Sequence, residues 1–200
     1  MKTNLIASKS IRILACQAIA TLCVLAQVAV TAVQADDTNT NRGQLSASDY
    51  RFACNAATGG MMEINLGKLA QQKSSDPAVQ QFGERMVQDH TKAADQLQQI
   101  VSSKNATLPS EMTASERKEM DKFNNLSGEE FDKAYAKMMI KGHKSMLRMF
   151  EHESKHADDA DIKNFAVNTT PTVQEHLTMA ESLKKDVKSG NNTSTNSPNQ

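Results

Sequence analysis

Apolar residues recur three and four apart through four long stretches of this chain, the spacing of one buried face on an amphipathic helix. In the second stretch the line runs through Val79, Gly83, Met86, Ala93, Leu97 and Ile100, and His90 falls on it. Phe52, Ala56, Gly59 or Gly60, Leu66 and Ala70 define the first, with Glu63 on the same seam. In the third the line is Phe131, Tyr135, Met138, Gly142 and Met149, and His143 lies beside it with Met139, Met146 and Phe150. The last runs Val173, His176, Ala180, Leu183 and Val187. Each stretch thus carries a histidine or an acid on or beside its apolar line. Asp89 flanks the second line.

Capping signals delimit the helices. Ser48 can cap the first, which reaches about Lys73, and Asp76 with Pro77 opens the second, ending near Ser103. Thr113 with Glu116 and Ser127 with Glu130 form capping boxes for a short third helix, to about Asn124, and for a fourth over 128–157. Asp159 can cap the last, whose pattern runs from Ile162 to Val187 with Pro171 as a kink or break. Two connections are short, so each flanking pair is an antiparallel hairpin. The middle connection, about 104–127, is long and holds the short helix. The predicted fold is therefore all-α: a ferritin-like four-helix bundle of two antiparallel hairpins joined by a long crossover containing a short helix.

Spacing from the two turns places the polar groups at one level. Glu63 and His90 lie 12 and 15 residues either side of Ser75, roughly 18 and 22 Å along their helices. His143 and His176 lie 15 and 18 residues either side of Asp158, roughly 22 and 27 Å. If the hairpins dock antiparallel, the four share a layer near mid-bundle. Imidazole and carboxylate are ligands for zinc, iron, manganese or copper, so Glu63, His90, His143 and His176, with Asp89 as ligand or as an acceptor behind one, make a candidate mononuclear metal site. The same groups can instead satisfy one another as an ion-free polar network.

Composition narrows the alternatives. Trp is absent and Met abundant, with 11 residues, which suits helices packed on Ala, Leu and Met better than a sheet. Residues 1–35 have a basic start (Lys2, Lys9, Arg12), an apolar run and a small-residue exit at Ala32-Val33-Gln34-Ala35, the anatomy of a cleavable export signal. The apolar run is also long enough to stay uncleaved as an anchor, although Gln17 and Gln27 interrupt it; a lipoprotein reading through Cys16 or Cys23 fits worse, and without the leader no membrane-spanning run remains. Residues 36–47 read as a polar tether, 48–188 as the helical domain and 189–200 as a tail without large apolar residues. Removing the three leader cations from 23 basic against 23 acidic residues leaves the rest near −3, with no basic stripe for a nucleic acid.

Weaker features also have ordinary explanations. Cys54 is the only cysteine beyond the leader, which excludes an internal disulfide framework, and it reads as a small buried hydrophobe. His152 and His156, four apart, could share a surface ion but sit in a charged run. Met138, Met139, Met146 and Met149 could offer soft ligands to Cu(I), although their spacing also suits core filling. No nucleophile triad or phosphate loop is present, and Gly59-Gly60 reads as a close-packing pair.

The runs Ala56-Ala57-Thr58-Gly59-Gly60-Met61-Met62-Glu63 with Gly67-Lys68-Leu69-Ala70, Phe82 through His90-Thr91, Phe131-Asp132-Lys133-Ala134-Tyr135 with His143, and Phe165-Ala166 with Pro171 and His176-Leu177 resemble the bacterial secreted family catalogued as domain of unknown function 4142. The resemblance spans about 48–187, and its Met-x-x-Asp-His-Thr run is the most specific part. It implies a ferritin-like bundle, export and an outer-membrane association, and no established activity. Di-iron members of the wider fold use Glu-x-x-His on two helices. Here Val87 and Val173 stand three before His90 and His176, against a carboxylate-bridged dinuclear centre. Two functions are expected in order: an exported domain binding one transition metal in metal handling or envelope stress, and a metal-free module meeting cell-envelope partners. An oxidative enzyme comes third.

Overall fold

The computed structural model describes residues 41–189. The predicted leader (1–35), the first part of the tether and residues 190–200 of the tail lie outside the described residues. Five helices and no strand occur among those described: α1 Ala47–Lys73, α2 Pro77–Ser103, α3 Ala114–Asn124, α4 Gly128–His156 and α5 Ala160–Ser189. α1 pairs with α2 and α4 with α5. The two hairpins dock α1 on α4 and α2 on α5, with α3 lying across α1 and α4. None of these helices is long and apolar enough to cross a membrane.

Polar contacts at the two ends fix the direction of the crossover. At one end Lys73 Nζ donates to the carbonyls of Phe123, Asn124 and Leu126 at 3.2, 2.6 and 3.0 Å, tying the close of α1 to the start of α4. At the other, Lys104 pairs with Asp159 and Asp161 at 2.8 and 2.7 Å, tying the close of α2 to the start of α5. Residues 104–127 therefore run the length of the bundle. A helix and an extended strand of chain are both needed to span it.

Several sequence expectations change in detail. α1 is capped by Ser46, whose hydroxyl accepts from the Asp49 amide at 3.1 Å, rather than by Ser48. Over its described part the expected tether is held to the bundle: Leu45 is fully buried, the Gln44 amide donates to the Lys104 carbonyl at 2.9 Å and the Thr107 amide to Asn41 at 2.8 Å. One apolar side chain and backbone pairing outweigh a polar composition there. Thr113 and Glu116 form the full capping box, whereas Ser127 makes no side-chain cap because the next residue, Gly128, takes φ +55°. α5 runs unbroken through Pro171. Val167, whose carbonyl loses its partner to the proline, is 48% exposed and so open to water, and the Thr170 hydroxyl donates to the Ala166 carbonyl at 2.7 Å.

The core divides into two apolar clusters. One holds Leu45, Phe52, Leu97, Val101, Phe150 and Ile162 near the Lys104 end; the other holds Leu66, Phe82, Met86, Phe131, Tyr135 and Leu183 near the Lys73 end. Phe52 and Phe150 meet edge to face at 5.0 Å, and Phe131 stacks on Tyr135 at 5.7 Å. Between the clusters every long helix presents a polar side chain.

A second buried acid lies at the Lys104 end. Asp49 is fully buried and accepts the Asp158 and Asp159 amides at 3.2 and 2.8 Å, clamping the α4–α5 turn onto α1. Glu153 is buried too, its Oε1 has no hydrogen-bond partner, and burial and then the Asp49 charge push its carboxyl up to about 7. An acid whose folded value exceeds its unfolded one contributes stability at low pH that is lost as pH rises through the folded value. Glu153→Gln is therefore expected to raise the melting temperature at pH 8 relative to the parent and to lose that advantage at pH 5, as followed by circular dichroism.

Candidate functional site

Glu63, His90, His143 and His176 are brought together in the layer between the two apolar clusters, at 5, 7, 0 and 1% exposure. Each is carried by a different long helix, which is why the site depends on the docking of both hairpins. Neighbouring ring centroids stand 5.3–5.8 Å apart. His90, His143 and His176 each offer one nitrogen, and these lie within 4.8 Å of one another. Gly60 faces His90: a Cβ there would stand 4.0 Å from Nδ1, an ordinary van der Waals contact.

Glu63 and Asp89 occupy opposite sides of the histidine cluster. Glu63 places Oε2 3.0 Å from His90 Nε2 and Oε1 3.4 Å from His143 Nδ1. The first approach is at ion-pair distance, but the ring N–H is not aligned for a hydrogen bond, and both atoms remain buried without one. Asp89 sits nearer the surface and accepts from His176 Nε2 at 2.9 Å. Arg85 donates to the same Asp89 oxygen and reaches Glu175 at 3.4 Å. Burial opposes charge on Glu63, but the charges of His90 and His143 prevail and hold its carboxyl down at about 2. Burial pushes His176 down to about 4 despite its bond to Asp89, while Glu63 outweighs burial at His90 and raises it.

The hydrogen bonds along the two innermost rings require more protons than neutral rings carry. His143 Nδ1 lies 2.9 Å from the Met139 carbonyl, His143 Nε2 lies 3.3 Å from His176 Nδ1, and His176 Nε2 lies 2.9 Å from Asp89. Three bonds ending on two acceptors need three protons, and two neutral imidazoles supply two. Either one ring is cationic, or the facing nitrogens are both lone pairs and meet a cation. In the second arrangement each ring donates outward, to a carbonyl and to a carboxylate, as metal-bound histidines do.

Some members of this arrangement were not marked by the sequence. Arg85 steadies Asp89 from one turn away, a relation that the i, i+4 spacing encodes. The Met139 carbonyl carries no side-chain signal. Tyr135, whose hydroxyl is buried without a partner, has its ionisation pushed up by burial and by Glu63. His152 and His156 stack on the surface at 4.4 Å, and His156 Nδ1 is engaged by the His152 carbonyl at 2.8 Å. Cys54 is half-buried, and burial raises its thiol away from the reactive thiolate.

Comparison with known proteins adds a family and a fold. The family described as Domain of unknown function (DUF4142) matches residues 34–183. No curated protein matches the chain. A DUF305 protein from Streptomyces coelicolor, described as secreted, is similar in structure with a TM-score of 0.61 at 13% identity, over 70% of this chain and 94% of that one. A conserved hypothetical protein from Mycobacterium tuberculosis is similar with a TM-score of 0.56 at 17% identity, over 70% and 92%. At these identities the likeness concerns the fold alone.

Proposed function

Since this chain belongs to the DUF4142 family, for which no activity is described, we propose a function from the site: an exported helical domain that binds one transition-metal ion in its bundle through His90, His143 and His176. Glu63 lies beside His90 and His143 as a neutralising carboxylate, and Asp89 orients His176 from outside. The observation that carries this reading is the facing pair His143 Nε2 and His176 Nδ1, 3.3 Å apart with both outer N–H groups committed. Two nitrogens at about 2.0–2.1 Å from one tetrahedral ion stand about 3.3 Å apart, so the pair already has the bite of a metal site. His90, within 4.8 Å, closes the third position by a small movement of its ring. Depression of His176 favours the neutral form that a ligand requires. Three imidazoles suit zinc, copper or iron better than manganese. Export is supported by the leader pattern of residues 1–35 and agrees with the secreted description of the Streptomyces protein.

The test is elemental analysis of protein purified untagged without chelator, beside a His90→Ala/His176→Ala variant. Near-stoichiometric metal in the parent and less than a tenth as much in the variant is the expected outcome. A parent that stays folded and takes up none of zinc, iron, manganese or copper would overturn the metal reading. The layer would then be architecture, with one shared imidazolium between Glu63 and Asp89, and the chain would be a structural module of the cell envelope.

A further inference from the structure

A cleft of about 480 Å³ opens between α1 and α4 beneath the crossover, lined by Met62, Met138, Met139, Met146 and Met149, with Glu63 among its wall residues. Five of the chain's 11 methionines therefore face one space. Met139 and Met146 are buried in the core, whereas Met62, Met138 and Met149 pack against the edges of the two apolar clusters and stay half-exposed around the cleft. Thioethers are neutral and polarisable donors that hold soft cuprous ions and add little for zinc, manganese or ferrous ions. Among the described residues no basic side chain lines the cleft, and the Glu63 carboxylate supplies a negative charge within it.

We propose that this cleft is a thioether site for a soft monovalent ion, Cu(I). Its position gives it a second property. Glu63 is both a wall of the cleft and the partner of His90 at 3.0 Å, and the Met139 carbonyl, on the residue that lines the cleft, holds His143 at 2.9 Å. An ion held by the sulfurs is thus one carboxylate away from the histidine layer. Delivery from cleft to layer rests on the metal reading above, whereas capture by the sulfurs does not.

The experiment uses the full chain in a Cys16→Ser/Cys23→Ser/Cys54→Ser background, so that every remaining sulfur is a thioether. Ag(I), which undergoes no redox change under these conditions, is titrated calorimetrically, and Cu(I) is added anaerobically for X-ray absorption. Copper–sulfur scattering in this protein and at least a tenfold loss of Ag(I) affinity in Met62→Leu/Met138→Leu/Met149→Leu, with Zn(II) binding unchanged, are expected. His90→Ala/His176→Ala should keep the sulfur scattering. Absence of sulfur around copper, or Ag(I) affinity within twofold of the parent in a folded methionine variant, would overturn the proposal. The X-ray measurement decides even if that variant fails to fold. Sulfur scattering with no metal loss in the histidine variant would instead defeat the histidine reading alone.

Discussion

Gly67→Ala is expected to destabilise the bundle by about 2–4 kcal/mol, since an inserted methylene group in a tight contact costs about 1–3 kcal/mol and more where backbone must shift. On an exposed helix the same change would stabilise by about 1 kcal/mol. The sign reverses because α1 and α2 cross on their backbones: a Cβ on Gly67 would stand 2.5 Å from the Gly83 carbonyl oxygen, and one on Gly83 would stand 2.7 Å from the Gly67 oxygen. Neither contact ends on a flexible side chain, so the helices must separate. Glu63 is one turn from Gly67 and His90 two turns from Gly83, so separation also opens the 3.0 Å Glu63–His90 contact. Urea unfolding would show the loss. Gly67→Ala/Gly83→Ala should cost less than the sum of the single changes, because the first methyl already parts the helices. An unchanged or raised midpoint for Gly67→Ala would show that the crossing yields.

Helix limits were legible where a cap is local. Asp76 accepts from the Ala78 amide at 2.8 Å ahead of Pro77, and Thr113 pairs with Glu116, both within three residues. Ser127 has the same signature and fails, because the backbone turns at Gly128. Burial at element ends was not legible. Leu45 stands in a polar run, and Glu153 stands in Glu151-His152-Glu153-Ser154-Lys155-His156, which reads as a solvated face. The charge that Glu153 meets there is that of Asp49, about a hundred residues earlier, and no local spacing encodes that contact.

The site was legible at the level of the layer and not at the level of the bonds. Counting from two short turns placed Glu63, His90, His143 and His176 together because helix rise is uniform and α5 stays regular past Pro171. The division of roles is tertiary: which imidazole meets a carbonyl, which meets Asp89 and which meets Glu63 depends on ring rotation within a space only the folded bundle defines. The methionines divide in the same way. Helical periodicity shows that they share a side, but only the placement of the crossover makes that side a cleft.

Glu63→Gln is expected to cost about 3–5 kcal/mol near pH 6, the range for removing one partner of a buried charged pair. Its pH dependence separates the pair from its surroundings. Glu63, lowered to about 2 from an ordinary 4.5, contributes stability that is complete above 4.5 and fades as pH falls through 2. His90, raised above its ordinary 6.5, contributes stability that is complete below 6.5 and fades as pH rises through its folded value. The difference between parent and variant should therefore peak from about pH 4.5 to 6.5 and shrink on both sides. His176, lowered to about 4, contributes stability above 6.5 that fades toward acid, but does so in parent and variant alike and largely cancels in the difference. Metal reverses the alkaline arm, because an ion needs deprotonated rings and binds more tightly as pH rises. At free ion about 100-fold above its dissociation constant, binding adds about 2.7 kcal/mol to the folded parent, and less to Glu63→Gln, which lacks the neutralising carboxylate. Thermal unfolding at pH 8 with and without chelator measures this. A larger Glu63→Gln deficit with metal than with chelator supports a carboxylate acting on the ion; equal deficits would confine Glu63 to its pairing with His90.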